Sequence, residues 1–216
     1  VEDACQAIGT QHDRGQVGTL GHLAAFSLFP TKNLGAFGDA GFVTTNDPQL
    51  GDKVTLLRTH GSTIRYHHEI VGSNCRIDTL QAAILRVFLP HLNHWINLRQ
   101  KAAAYYDEQL KTLSSLIQTP VRVPYSTHTF HQYTIKVKNG KRNELSEALT
   151  RKKIGNSIYY PIPCHLQKAL AHLNFKVGDF PQSEAAASEV LSLPIFPGIS
   201  ESEQDYVVET IKNWAK

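Results

Sequence analysis

The sequence predicts an α/β chain whose C-terminal portion changes to a small α+β domain, and three observations carry that expectation. Residues 23–29 form a short apolar run without charge that ends at Pro30, as in a buried strand whose chain then turns outward. A second short strand at 42–45, followed by a capped amphipathic helix, gives a β-loop-β-α order. Further on, Tyr133, Ile135 and Val137 alternate with Gln132, Thr134, Lys136 and Lys138, the period of a half-buried strand.

Composition sets the bounds. With 216 residues, 41% of them hydrophobic, the chain can build one large domain or two smaller ones. The 22 basic and 19 acidic residues leave a formal charge of +3, and the longest basic run is Arg151-Lys152-Lys153, which argues against nucleic acid as a partner. No uncharged apolar run approaches the roughly 20 residues that cross a bilayer, and no basic segment leads into an apolar one at the N-terminus. The cytoplasm is the default location. Cys5, Cys75 and Cys164 lie outside any Cys-x-x-Cys pattern and are odd in number, which suits reduced thiols rather than a disulfide framework or zinc site. His67-His68-Glu69 invites a metal, but adjacent residues face different ways and no His-x-x-x-His spacing occurs.

In chain order, Val1-Glu2-Asp3 reads as the tail of a strand. Asp3 and Gln6 are three apart, so their side chains either converge beyond that strand or belong to a solvated terminus. Residues 9–21, with four glycines, read as a loop. After the strand at 23–29, Lys32 stands just beyond a strand end. Gly35, Gly38 and Gly41 then allow tight turning and close backbone approach. Asp47-Pro48 supplies an N-cap and a first-turn proline, Leu50, Val54 and Leu57 share a helix face, and Gly61 suits the helix end. Gly-x-x-x-x-Gly-Lys-Ser/Thr is absent, so a P-loop is rejected.

Residues 72–76 are polar and irregular. Asp78 with Gln81 predicts a relative of the capping box, and Leu80, Ala83, Ile84 and Val87 predict one helical stripe. A second stripe, Trp95, Ile96, Ala103 and Tyr106, follows a break at Pro90. The domain boundary is placed there, giving residues 1–92 and 93–216. In the second part Asn139-Gly140 turns the chain, Leu145, Ala148 and Leu149 give a short helix, and Ile158-Tyr159-Tyr160 predicts a strand ended by Pro161 and Pro163. Ser200 with Glu203 predicts a capping box before a last helix whose Tyr206, Val207, Ile211 and Trp214 pack inward.

The arrangement Ser27-x-x-x-x-Lys32-Asn33-Leu34-Gly35, preceded by Asp3-x-x-Gln6, resembles the pyridoxal-phosphate aminotransferases of the DegT/DnrJ/EryC1/StrS family. The resemblance extends through Arg58-Thr59-His60-Gly61, Gly72 to Asp78 with Gln81-Ala82-Ala83, Tyr160-Pro161 with Pro163 and His165, and Leu191-Ser192-Leu193-Pro194. It implies a fold-type I architecture, with part of the large cofactor-binding α/β domain at 1–92 and a linker helix and small α+β domain at 93–216.

By the same resemblance Lys32 is the catalytic residue that forms the Schiff base with pyridoxal phosphate and carries a proton between substrate and cofactor, pyridoxamine phosphate being the intermediate form. Asp3 pairs with the pyridine nitrogen, Gln6 with the phenolic oxygen, and Ser27 with the phosphate. Asn74 matches a residue inserted toward the phosphate from a partner subunit, which implies a homodimer with shared active sites. Its bland reading is a turn asparagine. Arg76 matches a carboxylate anchor, against a surface salt bridge. His60, Tyr160 and His165 are substrate-pocket candidates, or packed polar residues with satisfied hydrogen bonds.

The implied reaction moves an amino group from glutamate, with 2-oxoglutarate as product, to a keto carbon of a nucleotide-linked sugar. Tyr66-His67-His68-Glu69 and Gly178-Asp179-Phe180-Pro181 look most like enzymes acting on 3-keto sugars. Sugar dehydratases on this scaffold carry histidine at the lysine position, so Lys32 argues against them, and a non-catalytic assembly or regulatory role is the alternative. Two departures stand out. Family members extend well upstream of the position matching Val1, so the chain reads as a C-terminal portion, and Tyr159 replaces a histidine of close relatives.

Overall fold

The computed structural model describes residues 1–216 and divides into two compact units, residues 1–97 with 122–131 and residues 98–121 with 132–216. In the first unit, β1 (Glu2–Asp3), β4 (Ala24–Ser27) and β5 (Gly41–Thr44) form a sheet in the order β1-β4-β5. β1 runs parallel to β4, with Asp3 opposite Ala25, and β5 runs antiparallel, with Ser27 opposite Gly41. A parallel pair needs a crossover. Here it is the glycine-rich loop, which contains a small hairpin of β2 (Gln11–His12) and β3 (Gly15–Gln16) that the sequence pattern did not show.

The strand predicted at 23–29 is thus shorter than expected, and its alternate residues Ala24 and Phe26 are buried with Ala4 against Ala7, Ile8 and Val17. A second cluster joins the Lys32 loop to the helices: Leu28, Leu34 and Ala36 pack with Leu85 of α2 (Thr79–Phe88) and with Leu92 and Ile96 of α3 (Leu92–Leu110). The break at Pro90 is a short 3₁₀ turn at Leu89–His91 between those helices. Pro90 has no N–H to give there, so the turn costs no hydrogen bond.

Asp47 caps α1 (Pro48–Arg58) as predicted, accepting from the N–H groups of Gln49 and Leu50. The predicted stripe of α1 is not a core face, for none of its residues is buried. Its end is set by Gly61, whose N–H donates to Leu56 O at 2.9 Å and whose φ is +67°. A Cβ on Gly61 would stand 1.8 Å from Ile70 O, and one on Gly72 would stand 2.2 Å from Gly61 N. Two backbone segments therefore touch where no side chain fits. They enclose the hairpin of β6 (Ser62–Ile64) and β7 (His67–His68).

The predicted capping box at Asp78 does not form. The Asp78 side chain makes no cap bond, and the reciprocal half is missing because the Gln81 side chain is engaged elsewhere: its Oε1 accepts from Phe37 N at 2.8 Å.

In the second unit, β8 (Ile117–Gln118), β9 (Tyr133–Val137) and β10 (Val190–Leu193) form an antiparallel sheet in the order β10-β9-β8. The alternation read at 133–137 is the observed burial, with Tyr133, Ile135 and Val137 fully buried. Helices α4 (Arg142–Arg151) and α6 (Glu201–Trp214) pack on one another, contributing Leu145, Leu149, Val207, Val208 and Ile211 to the core. The short helix α5 (Pro181–Glu189) runs directly into β10.

Ser200 and Glu203 form the predicted capping box of α6. Tyr206 departs from expectation, being 48% exposed with its hydroxyl donating to Lys152 O, while Val208 and Gln204 face inward. Residues 158–160 form no strand. Only Ser157 pairs, with Ser192, and the prolines at 161 and 163 cannot donate to a ladder beyond it.

Candidate active site

The Lys32 loop is held at several points. Ser27 ends β4, and two residues later the chain turns so that Lys32 N donates to Phe29 O at 2.8 Å. Gly35 then passes over Pro30 so closely that a Cβ would lie 2.3 Å from the Pro30 carbonyl oxygen. Leu28 and Ala36 are joined by a backbone hydrogen bond, Leu34 and Ala36 are buried, and Gln81 fixes Phe37. Lys32 itself is half-buried at the turn of an otherwise fixed loop.

The parallel pairing of β1 with β4 sets Asp3 opposite Ala25, on the strand that leads into this loop. Asp3 Oδ1 accepts from Cys5 N at 3.2 Å. The Cys5 thiol, then the Cys5 N–H, hold the Asp3 carboxyl below its ordinary range, against a smaller opposing effect of burial, and the charge of Lys32 adds to the depression. Asp3 in turn pushes the Cys5 thiol up. That thiol has one proton and two acceptors, the Asp3 carboxylate and Ala25 O at 3.6 Å, and the Ser27 N–H points to its sulfur. Asp3 and the Ser27 backbone therefore meet at Cys5, which the charge of Lys32 also reaches and which sequence reasoning passed over. An Asp whose side chain accepts from the N–H two residues on is a local turn pattern, and that pattern marks Cys5.

Ser27 Oγ accepts from Phe29 N at 3.3 Å, and Gln6 is exposed, with its carbonyl facing the Thr129 hydroxyl. Next to Asp3, Glu2 accepts from the N–H groups of Gly18, Leu20 and Gly21 at 2.9, 2.8 and 2.6 Å and so clamps the loop leading into β4. Those bonds, Gly18 first, hold its carboxyl below the ordinary value of 4.5. A depressed carboxylate contributes its stability above the unfolded value and loses it as pH falls through the folded one. Glu2→Gln should therefore be less stable at pH 7 and should show a flatter stability profile below about pH 5. Denaturant midpoints between pH 3 and 7 check this, and parallel profiles for the two proteins would show that the clamp contributes nothing.

Asn74 and Arg76 are also brought together, Arg76 Nε donating to Asn74 Oδ1 at 2.9 Å. Asn74 pairs through its backbone with Thr59, and Cys75 N donates to Arg58 O, so both hang from the end of α1. His60, at φ +61°, lies at the same place, with its carbonyl accepting from His68 Nδ1. A cleft of about 790 Å³ opens between the β4–β5 strands and α1, lined by Phe26, Phe42, Val54, Arg58 and Arg76. Within the second unit, Tyr160 is exposed. His165 is buried, its Nε2 3.0 Å from Glu184 Oε1 and its ring packed on Phe180.

The sequence pattern of the DegT/DnrJ/EryC1/StrS aminotransferase family matches residues 1–212. The chain belongs to that family. Within DegT/DnrJ/EryC1/StrS aminotransferase relatives, it is 48% identical to a pleiotropic regulatory protein of Geobacillus stearothermophilus over 98% of this chain and 56% of that protein. It is 42% identical to a UDP-N-acetyl-3-dehydro-alpha-D-glucosamine 3-aminotransferase of Acidithiobacillus ferrooxidans, again over 98% of this chain and 56% of the other. Among solved structures, Streptomyces venezuelae DesV in complex with a ketimine intermediate aligns with a TM-score of 0.92 and 38% identity, covering 99% of this chain and 57% of that one. The chain spans little more than half the length of these family members, and over that span its fold is theirs.

Proposed function

We propose that this chain carries the cofactor-linking lysine and the ring-pairing acid of a pyridoxal-phosphate aminotransferase acting on a nucleotide-linked keto sugar. The observation that supports the reading is the parallel pairing of β1 with β4, which sets Asp3 opposite Ala25 on the strand that leads into the Lys32 loop, where the Cys5 thiol and N–H, and then the charge of Lys32, hold the Asp3 carboxyl below its ordinary range. The donor set fits the group. An amine is required at the aldehyde carbon, an anion at the pyridine nitrogen, and hydroxyl and amide donors at the phosphate and phenolic oxygens, the roles assigned to Lys32, Asp3, Ser27 and Gln6. Bound pyridoxal phosphate supplies a ring that takes up the electron pair left when a C–H bond loses its proton.

Lys32 Nζ would remove that proton from the substrate carbon and return it, and Asp3 would keep a proton on the ring nitrogen. Arg76, already oriented by Asn74, offers a guanidinium for the carboxylate of glutamate or of a uronic acid. His60, Tyr160 and His165 are placed in the substrate pocket on the resemblance alone. Residues 1–92 belong in this reading to the large cofactor-binding domain and residues 93–216 to a linker helix and the small domain. The working form is a homodimer in the cytoplasm, where unpaired Cys5, Cys75 and Cys164 are at home, with Asn74 serving the partner's site and amino sugars for surface polysaccharide as products. Support for the substrate class comes from the 3-aminotransferase relative.

The Geobacillus relative, a pleiotropic regulatory protein, favours a second reading, a regulatory role without turnover. One experiment separates them. The purified protein loaded with pyridoxal phosphate should convert glutamate to 2-oxoglutarate in an amount equal to its sites, and a nucleotide-linked 3-keto sugar should then take up the amino group. No oxo acid from any amino acid donor would leave the regulatory reading standing.

A further inference from the structure

We infer that Asn33 and Thr129 are positioning residues that fix Lys32 relative to the loop that follows Asp3 and bears Gln6, an inference that rests on the role of Lys32 given above. Asn33 directly follows Lys32 and is only 6% exposed. Its Nδ2 donates to Thr129 O at 3.1 Å, across 96 residues of sequence. Its Oδ1 is buried and has no partner. An apolar side chain between Leu28 and Leu34 would avoid the cost of that unmet acceptor, which is about 1–3 kcal/mol for a buried polar group. An amide buried at such a cost is offset here by the bond its other half makes.

Thr129 is the second part of the joint. It is 2% exposed, its carbonyl receives Asn33, and its hydroxyl faces Gln6 O at 3.5 Å. The segment around it is stitched to the loop after Gln6 by stronger bonds. Thr127 Oγ1 accepts from Gln11 N at 2.9 Å, Thr127 N donates to Gln11 O at 2.9 Å, Ser126 Oγ donates to Gln11 O at 3.0 Å, and Asp13 N donates to Tyr125 O at 2.8 Å. Residues 125–129 thus hold the loop of Gln6 on one side and the residue after Lys32 on the other. Asp3 lies on β1 and Lys32 on the loop after β4, so the brace at residues 125–129 adds to the β1–β4 pairing by setting the loop of Gln6 against the Lys32 loop. A misplacement of about 1 Å at a reacting amine costs on the order of 10²-fold in rate.

The test is carried out on the whole protein with two readouts. The first is the rate at which Lys32 covalently captures pyridoxal phosphate, read by borohydride trapping and peptide mass. The second is the pH profile of Lys32 acylation in cofactor-free protein, read by mass spectrometry; Asp3 and Cys5 are the titratable groups on which the charge of Lys32 acts. Asn33→Leu, which removes the bond to the Thr129 carbonyl, should slow capture at least about tenfold and displace the acylation profile; Thr129→Val, which leaves that carbonyl and removes only the hydroxyl contact to Gln6 O, should slow capture less, and Thr129→Ser, which keeps the hydroxyl, should match wild type. Asn33→Ala serves if Asn33→Leu does not fold. Wild-type capture rates and an unmoved profile in the folded variants would overturn the inference. Absence of capture by the wild-type protein would instead overturn the role of Lys32, and the acylation profile would still decide whether Asn33 and Thr129 set its surroundings.

Discussion

Lys32→Ala is expected to abolish covalent retention of pyridoxal phosphate. After borohydride treatment the wild-type protein should carry the cofactor's mass on the peptide containing residue 32, and the variant should carry none. The chemistry allows no substitute nearby. The nucleophile beside Asp3 is the Cys5 thiol, which Asp3 holds in its protonated form, and Ser27 has no amine to offer. Loss of the proton carrier alone removes on the order of 10²–10⁴-fold in rate, before the loss of attachment is counted. Retention of equal cofactor mass on another lysine, Lys53 for instance, would show that the attachment point is misassigned.

Gly61→Ala should be the most disruptive small substitution in the first unit. Alanine at φ +67° is strained by itself, and its Cβ would overlap the Ile70 carbonyl, a backbone atom that no rotamer change can move. Strain and overpacking together place the cost at roughly 2–6 kcal/mol. The damage should spread in one direction, to Gly72, Asn74 and Arg76, because the chain from Gly72 is laid directly against Gly61. Hydrogen exchange should report early opening of residues 60–76 while β9 and β10 of the second unit stay protected. A denaturant midpoint equal to wild type would contradict the packing described.

What the sequence made legible was local. Asp47 with Pro48, and Ser200 with Glu203, cap their helices within three residues, so the pattern and the bond coincide. The alternation at 133–137 survived for the same reason. Gln81 failed as a cap because its true partner, Phe37 N, is 44 residues away and leaves no trace in spacing. The Glu2 clamp and the Asn33–Thr129 bond are invisible for that reason too, since each joins a side chain to a distant backbone group. Tyr206 shows a subtler failure. Its helical position is shared by apolar neighbours, yet a phenol that reaches a carbonyl at the surface gains a hydrogen bond by staying out. The motif named Lys32, Asp3 and Ser27 as candidates, whereas Cys5, whose thiol Asp3 pushes up, drew notice only once β1 was laid against β4.

The return of residues 122–131 to the first unit has a consequence for how the molecule is made. A chain emerging from the ribosome has presented both strands of the Lys32 site, and the loop itself, long before Thr129 exists. Until then Asn33 has no carbonyl to meet, and the amide next to Lys32 must wait in solvent. Formation of this unit therefore closes a long loop late in synthesis, a slow kind of step. The amide beside Lys32 thus meets its partner only after part of the second unit has been translated, which ties completion of the first unit to the passage of residue 131 rather than to that of residue 32.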